Sequence, residues 1–209
     1  RDFYMPDGED ILMPIPGIDC LTYDDVNLLL RNQKLWVELV IWMRTLFHSF
    51  FENQPQLSVV IARVFQQLPL DFFNEFSRHF GPEQSQRFSD LFTRLITVNW
   101  QMVNAYKENN QAAIDESVVQ WYRVADEMAS FLASVNPHWD ELQIRNMLYE
   151  YIQLKIQEIM AFLSGDYELE MRVFEELKNE VIRISANLAA GIIAKRPQRP
   201  PQQLPQRPL

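Results

Sequence analysis

A regular stripe of apolar side chains runs through residues 110–139 of the chain. Its members fall alternately four and three residues apart: Ile114, Val118, Trp121, Ala125, Met128, Leu132 and Val135. This spacing places them on one face of an α-helix, with charged and amide side chains on the opposite face. The pattern stops at Asn136-Pro137, because proline cannot continue a helix. The stretch therefore predicts an amphipathic helix whose apolar face is buried in a bundle.

Similar patterns, punctuated by prolines and turn residues, predict five further helices. Thr22 followed by Asp25 resembles a helix N-cap with an acidic first turn, and Asp140 resembles another N-cap. Pro69 is predicted to interrupt the second helix, which then resumes. The six predicted helices span about residues 22–53, 56–80, 83–109, 110–136, 140–164 and 167–193.

The stripes and turns recur at an interval of about 56 residues. The turns at Asn53-Gln54, Asn109-Asn110 and Gly165-Asp166 superpose under this offset without gaps. Such self-similarity indicates a repeated supersecondary unit. It predicts an all-α fold, a six-helix bundle of three tandem antiparallel helical hairpins at 23–80, 83–136 and 140–193. The alternative is that the hairpins are unrelated, because any two helices with heptad patterns can be aligned in partial register.

Two segments outside the bundle, residues 1–22 and 195–209, are predicted to be extended arms. Prolines near the start exclude helix there, yet the segment is too apolar for a free tail. We expect this N-terminal arm to lie against the bundle, residues 23–194, or against a neighbouring subunit. Residues 195–209 hold five prolines in fifteen residues. They predict a chain close to polyproline II, which serves either as a spacer or as a ligand for an aromatic groove.

Charge is unevenly distributed along the chain, which carries a net −9. Residues 1–25 hold one arginine and seven carboxylates, whereas residues 195–209 hold four basic side chains and no acidic one. The acidic body argues against nucleic-acid binding, which usually needs a basic face. The opposed arms could attract each other, within one molecule or between two, or each could be a solvated tail. The side chains predicted to contact a partner are Ile11, Leu12, Met13, Ile15, Arg196, Arg199 and Arg207.

The sequence contains no motif that would support catalysis or hold a metal. None of the three histidines follows a glutamate by three residues, as a di-iron bundle requires. Cys20 is the only cysteine, so no intrachain disulfide can form, although it could crosslink two chains. Glu150 and Glu158 could supply paired carboxylates but are interpreted as solvated helix faces. We therefore predict no catalytic residue, no metal and no cofactor.

Composition also bears on the compartment. No uncharged apolar run approaches the ~18–20 residues needed to span a bilayer, so no membrane span is predicted. The acidic start lacks a signal-peptide pattern. A single cysteine favours a reducing compartment. These features predict a cytoplasmic protein.

Three segments resemble a known family: LWVELVIWMR at 35–44, WYRVADEMASFLASVNPHW at 121–139 and MLYEYIQL at 147–154. The family consists of small all-helical proteins of spore-forming Bacillus- and Clostridium-type bacteria. Some members are labelled spore coat proteins, and others an amino-acid kinase that nothing in this sequence supports. The resemblance covers about residues 23–193. It implies a location in the spore or the mother cell.

The resemblance also implies a histidine in each hairpin, at the positions that match Leu39, Leu95 and Tyr151. Three imidazoles so placed would suit a metal or ligand site. Leu and Tyr side chains cannot replace them, so any such site is expected to be absent from this chain.

Together these features predict a non-catalytic structural or assembly protein, spore-associated, that self-associates or binds other protein subunits through its arms. The alternative is a small-ligand or metal-binding helical bundle that has lost the family histidines.

Overall fold

A computed structural model describes residues 21–196, and within that range the chain is helical and contains no strand. The all-α prediction is therefore confirmed for these residues. The helices are α1 (Tyr23–Phe51), α2 (Leu57–Ala62), α3 (Leu68–Phe76), α4 (Pro82–Lys107), α5 (Gln111–Val135), α6 (Glu141–Ser164) and α7 (Tyr167–Lys195). A π-helical segment, Arg63–Gln67, joins α2 to α3, so the seven helices form six continuous runs between residues 21 and 196.

The predicted N-caps are present. Thr22 accepts a hydrogen bond from the Asp25 backbone N–H at 3.2 Å, and the Asp25 carboxylate accepts one from the Thr22 backbone N–H at 2.9 Å. This reciprocal capping box satisfies two N–H groups that a helix start leaves unpaired. Asp140 caps α6 by a single bond, which its carboxylate accepts from the Gln143 backbone N–H at 2.7 Å.

Three helices end in the same left-handed turn, and the turns lie 56 residues apart. Asn53, Asn109 and Gly165 have φ angles of 53°, 54° and 78°. The next residue in each case donates its N–H back to a helix carbonyl: Gln54 to Ser49 at 2.8 Å, Asn110 to Ala105 at 2.9 Å and Asp166 to Ala161 at 2.9 Å. This is the Schellman pattern, which satisfies the last carbonyls of a helix.

The second helix is interrupted just before Pro69 and then resumes, and the interruption is a π-helical segment that keeps the helical run continuous. The helix widens to π geometry there, and Leu68 donates its N–H to the Arg63 carbonyl, five residues back. A proline ring clashes with the carbonyl four residues earlier in an α-helix, and one wider turn accommodates the ring without ending the helix. The run then ends at Phe76 rather than at residue 80.

Each long helix packs against a neighbour in the sequence, and the first packs against the last. α4 packs with α5, α6 with α7, α5 with α6, and α1 with α7. α1 and α7 run antiparallel, because Asp25 meets Arg196 at one end and Arg44 meets Glu170 towards the other. The beginning and the end of the described chain therefore lie side by side.

The stripe in residues 110–139 is part of the core. Trp121 and Met128 are 1% and 2% exposed, and Ala125 is fully buried. Trp139 from the following loop joins the same core. No helix within residues 21–196 is long and apolar enough to cross a membrane.

Candidate functional site

The most deeply buried group of charged side chains lies where α1, α6 and α7 meet. We call it the ionic cluster; its members are Arg44, His48, Lys155, Glu158 and Glu170. Lys155 and Glu158 are completely buried, and Glu170 is 1% exposed. Charged side chains are rarely buried to this degree unless they are paired.

The interpretation of Glu158 as part of a solvated helix face was therefore wrong. Lys155 and Glu158 occupy positions of the apolar stripe of α6, between Ile152 and Ile159, which are both fully buried. A charge that falls in register with an apolar stripe is the sequence signal that identifies this pair. Core burial runs along α6, and two of its fully buried positions are charged.

Lys155 and Glu158 form a direct ion pair, with Nζ 2.5 Å from Oε2. Burial lowers the pKa of Lys155 and raises the pKa of Glu158, while their mutual attraction opposes both shifts. Lys155 Nζ also lies 4.9 Å from the centre of the Phe47 ring, which faces a cation favourably.

Glu170 is held by two side chains of α1. Arg44 donates to both carboxylate oxygens, at 2.7 and 3.0 Å, and His48 Nε2 lies 2.9 Å from Oε1. Burial alone would raise the pKa of Glu170, but the hydrogen bonds from Arg44 and His48 outweigh it and lower that pKa. Glu170 therefore stays ionised and ties α7 to α1.

The chemistry of the ionic cluster is dominated by pairing within it. Glu158 Oε1 has no hydrogen-bond partner among residues 21–196, and Arg44 Nε lies 3.8 Å from it. Arg44 and Lys155 would also repel a cation. Within residues 21–196 no group of three or more His, Cys, Asp or Glu side chains is placed to hold a metal ion.

The three positions at which the family resemblance implies histidine are all core positions. Leu39 on α1, Leu95 on α4 and Tyr151 on α6 are 3%, 8% and 7% exposed. The Tyr151 ring packs edge-on against Trp121, and its burial raises its pKa, so the phenol stays neutral. Packing against neighbouring side chains is the role that the structure gives these residues.

Of the predicted partner-contact residues, Arg196 alone lies within the described range. Its guanidinium donates to Asp25 Oδ1 at 2.6 Å, in the same chain. Burial would raise the pKa of Asp25, but its hydrogen bonds with Thr22 and the charge of Arg196 lower it. The other predicted contacts, Ile11, Leu12, Met13, Ile15, Arg199 and Arg207, lie outside the described residues, as does Cys20.

His79 follows the end of α3, and most of its side chain is covered. Its side chain is 12% exposed, with Nε2 3.6 Å from Glu75 Oε1. Glu75 also receives Arg31 Nε at 3.0 and 3.1 Å. Burial would raise the pKa of Glu75, and the nearby His79 ring together with the hydrogen bonds from Arg31 lowers it instead. This group ties α1 to α3.

A groove of about 530 Å³ runs along the surface between the end of α4 and the start of α5. Its lining combines an indole, three carboxamides and two carboxylates: Trp100, Gln101, Asn104, Gln120, Glu108 and Glu116. The Trp100 ring packs edge-on against Phe50 of α1, with ring centres 4.7 Å apart. Among residues 21–196, no basic side chain lines the groove. We call it the α4–α5 groove.

No family model matches the chain, and neither a curated protein nor a solved structure matches it. Its function is therefore argued from its own geometry.

Proposed function

We propose that this protein is a non-catalytic structural or assembly protein that self-associates through its terminal arms. The observation that carries the proposal is the ion pair between Asp25 and Arg196. It holds the residues next to which the acidic and the basic arm begin close together, at the start of α1. Both arms therefore start from the same place with opposite charges, a suitable arrangement for pairing with the arms or the body of a neighbouring copy.

An apolar strip at the root of the N-terminal arm supports the same proposal. Tyr23, Val26 and Leu30 are 81%, 41% and 58% exposed, and their spacing puts them on one face of α1. Clustered exposed apolar side chains are typical of contact surfaces. The apolar residues predicted to contact a partner, Ile11 to Ile15, precede this strip by only a few residues.

The ionic cluster supports the non-catalytic part of the proposal. Arg44 and His48 engage Glu170 and so link α1 to α7, Arg44 also lies 3.8 Å from Glu158 of α6, and Lys155 pairs with Glu158 within α6. None of them lines the α4–α5 groove.

We also propose that the bundle consists of three related hairpins with a period of about 56 residues. The three Schellman turns support this, because their hydrogen bonds as well as their φ angles recur at that interval. We also propose that the protein is spore-associated, as the family resemblance of residues 23–193 implies.

Light scattering coupled to size exclusion tests the function. The variants lack residues 1–20 or residues 197–209, and a matched control keeps the tail but carries Arg199→Glu and Arg207→Glu. We expect the mass of the full chain to exceed the monomer mass. Each variant should associate less, with a mass closer to that of its own monomer and with unchanged helix content by circular dichroism. A monomeric full chain, or association that survives every change in the arms, contradicts the proposal.

A further inference from the structure

We propose that the α4–α5 groove binds the Arg199-Pro200 unit in the tail of a second copy of this chain. The inference rests on the proposed self-association and names the surface that receives the tail. It follows from the lining of the groove, its charge and its position relative to Arg196.

The lining of the groove suits an arginine next to a proline. Trp100 is half-buried and offers an aromatic surface, and proline rings in extended segments dock on such surfaces. Glu108 and Glu116 are exposed, and neither forms an ion pair with any residue from 21 to 196. A guanidinium is the cation that pairs best with a carboxylate, because its planar donors match the two oxygens. Gln101, Asn104 and Gln120 can bond the peptide backbone between these contacts.

The tail supplies the complementary groups. Arg-Pro occurs three times towards its end, at residues 196–197, 199–200 and 207–208. Arg196 is already paired with Asp25. Arg199-Pro200 is the next Arg-Pro unit along the tail, and we assign it to the partner.

Distance makes the partner a second copy. Arg196 lies beside Asp25 at the start of α1, whereas the groove lies at Phe50 near the end of α1. The helical rise puts these ends about 37 Å apart. Four residues reach at most about 14 Å even when fully extended. Arg199-Pro200 therefore cannot reach the groove of its own chain.

A tail that leaves one end of the bundle and docks at the other end of the next molecule makes a heterologous contact. Such contacts propagate head to tail, and they give rings where the rotation closes and filaments where it does not. This geometry is compatible with a structural role, since each copy both offers a tail and receives one.

The test measures binding of a labelled peptide of residues 197–209 by fluorescence anisotropy. The receptor is the full chain carrying R199E and R207E, so that its own tail does not compete. E108K and E116K are introduced together into this receptor, and the matched control carries E168K and E176K, which change the same charge on α7. We expect the groove changes to weaken binding at least about fivefold, since both carboxylates that attract the Arg199 guanidinium become repulsive cations. The control should alter binding by less than about twofold.

Equal binding to the groove variant and to the unchanged receptor overturns the proposal, as does no binding at all. Equal binding of a peptide that carries R199Q and R207Q overturns it too. A peptide of residues 1–20 that competes for the groove would assign the groove to the other arm and reject the tail. If the full chain self-associates but R199E leaves its mass unchanged, the groove assignment fails while the proposed function stands. A full chain that is monomeric throughout removes both.

Discussion

Gly191 of α7 lies directly against the indole of Trp139. A Cβ at position 191 would sit 2.1 Å from Trp139 Nε1 and 2.2 Å from Cδ1. The same Nε1 donates to the Leu188 carbonyl at 3.1 Å. Glycine costs about 1 kcal/mol relative to alanine inside a helix. Glycine at position 191 nevertheless leaves the space in which Trp139, from the loop between α5 and α6, packs on the backbone of α7.

Gly191→Ala is therefore expected to destabilise the protein, although alanine is the better helix former. The new methyl group must displace Trp139 and break its hydrogen bond to Leu188. We expect the free energy of unfolding to fall by about 2 kcal/mol, as overpacking of a core typically causes, measured by urea denaturation. Ala190→Gly, one residue away, is the control for helix propensity alone. Greater stability in Gly191→Ala would refute the close contact.

Glu170→Gln is expected to lower the free energy of unfolding by roughly 3 kcal/mol at neutral pH. The change leaves Arg44 and His48 without their buried carboxylate, and breaking one side of a buried pair is costly. Glu175→Gln on the same helix is the control. Its carboxylate is exposed and pairs with Lys178, so the loss there should stay below about 1 kcal/mol.

The contribution of Glu170 also has a defined pH dependence. Its folded pKa is lowered, so between the folded and unfolded pKa values the unfolded state binds more protons. The stabilisation is present above the unfolded pKa of about 4.3 and is lost as the pH falls through the folded pKa. The gap between the unfolding free energies of the wild-type chain and Glu170→Gln should therefore shrink on acidification. A constant gap would argue against an ionised Glu170.

Glu180 shows the opposite behaviour. It is 3% exposed and one of its carboxylate oxygens has no hydrogen-bond partner. Burial raises its pKa, the Arg183 charge opposes this, and Glu150 adds to it. The folded state therefore binds the extra proton, and stability falls as the pH rises through the folded pKa.

Glu180→Gln should remove this loss and raise the free energy of unfolding at pH 7 by about 1 kcal/mol. Arg183 is 61% exposed and remains solvated without its partner. Urea denaturation as a function of pH provides the measurement, and exposed Glu176→Gln on the same helix provides the control. A variant less stable than the wild-type chain at pH 7 would show that the Arg183 pair outweighs burial.

At the Schellman turns, introducing a glycine and removing one should have opposite effects on the free energy of unfolding. Asn109 occupies a left-handed position that glycine adopts without strain, so Asn109→Gly should raise the free energy of unfolding by about 0.5 kcal/mol. Gly165→Ala places a Cβ at φ 78° and should lower it by about 1 kcal/mol. Thermal denaturation compares the two variants. Similar effects at both sites would count against a shared turn geometry.

The course of the helices follows from local signals, and for that reason most of it could be predicted. Thr22 and Asp140 mark helix starts through their own hydrogen bonds, and Asn109 marks a turn through its tolerance of left-handed backbone. The interruption near Pro69 could be predicted but its form could not, because a proline forbids α geometry but permits a wider π turn. The choice between a broken and a bulged helix depends on packing against α1 and α4, which is not a local property.

The ionic cluster could be predicted only in part. Lys155 and Glu158 lie in the apolar stripe of α6, and this signal points to burial. The other members of the ionic cluster come from α1 and α7, and Arg44 lies 126 residues before Glu170 in the chain. No spacing rule connects side chains at that separation, so the pairing of Glu170 with Arg44 emerges only when the helices are assembled.

Self-association of the chain through its arms is tested by the mass of the chain in solution. Sedimentation equilibrium of the full chain over a range of concentrations gives that mass without a matrix or a label. Self-association predicts an average mass that rises with concentration above the monomer value of 24.8 kDa. A mass of 24.8 kDa at every concentration would contradict it.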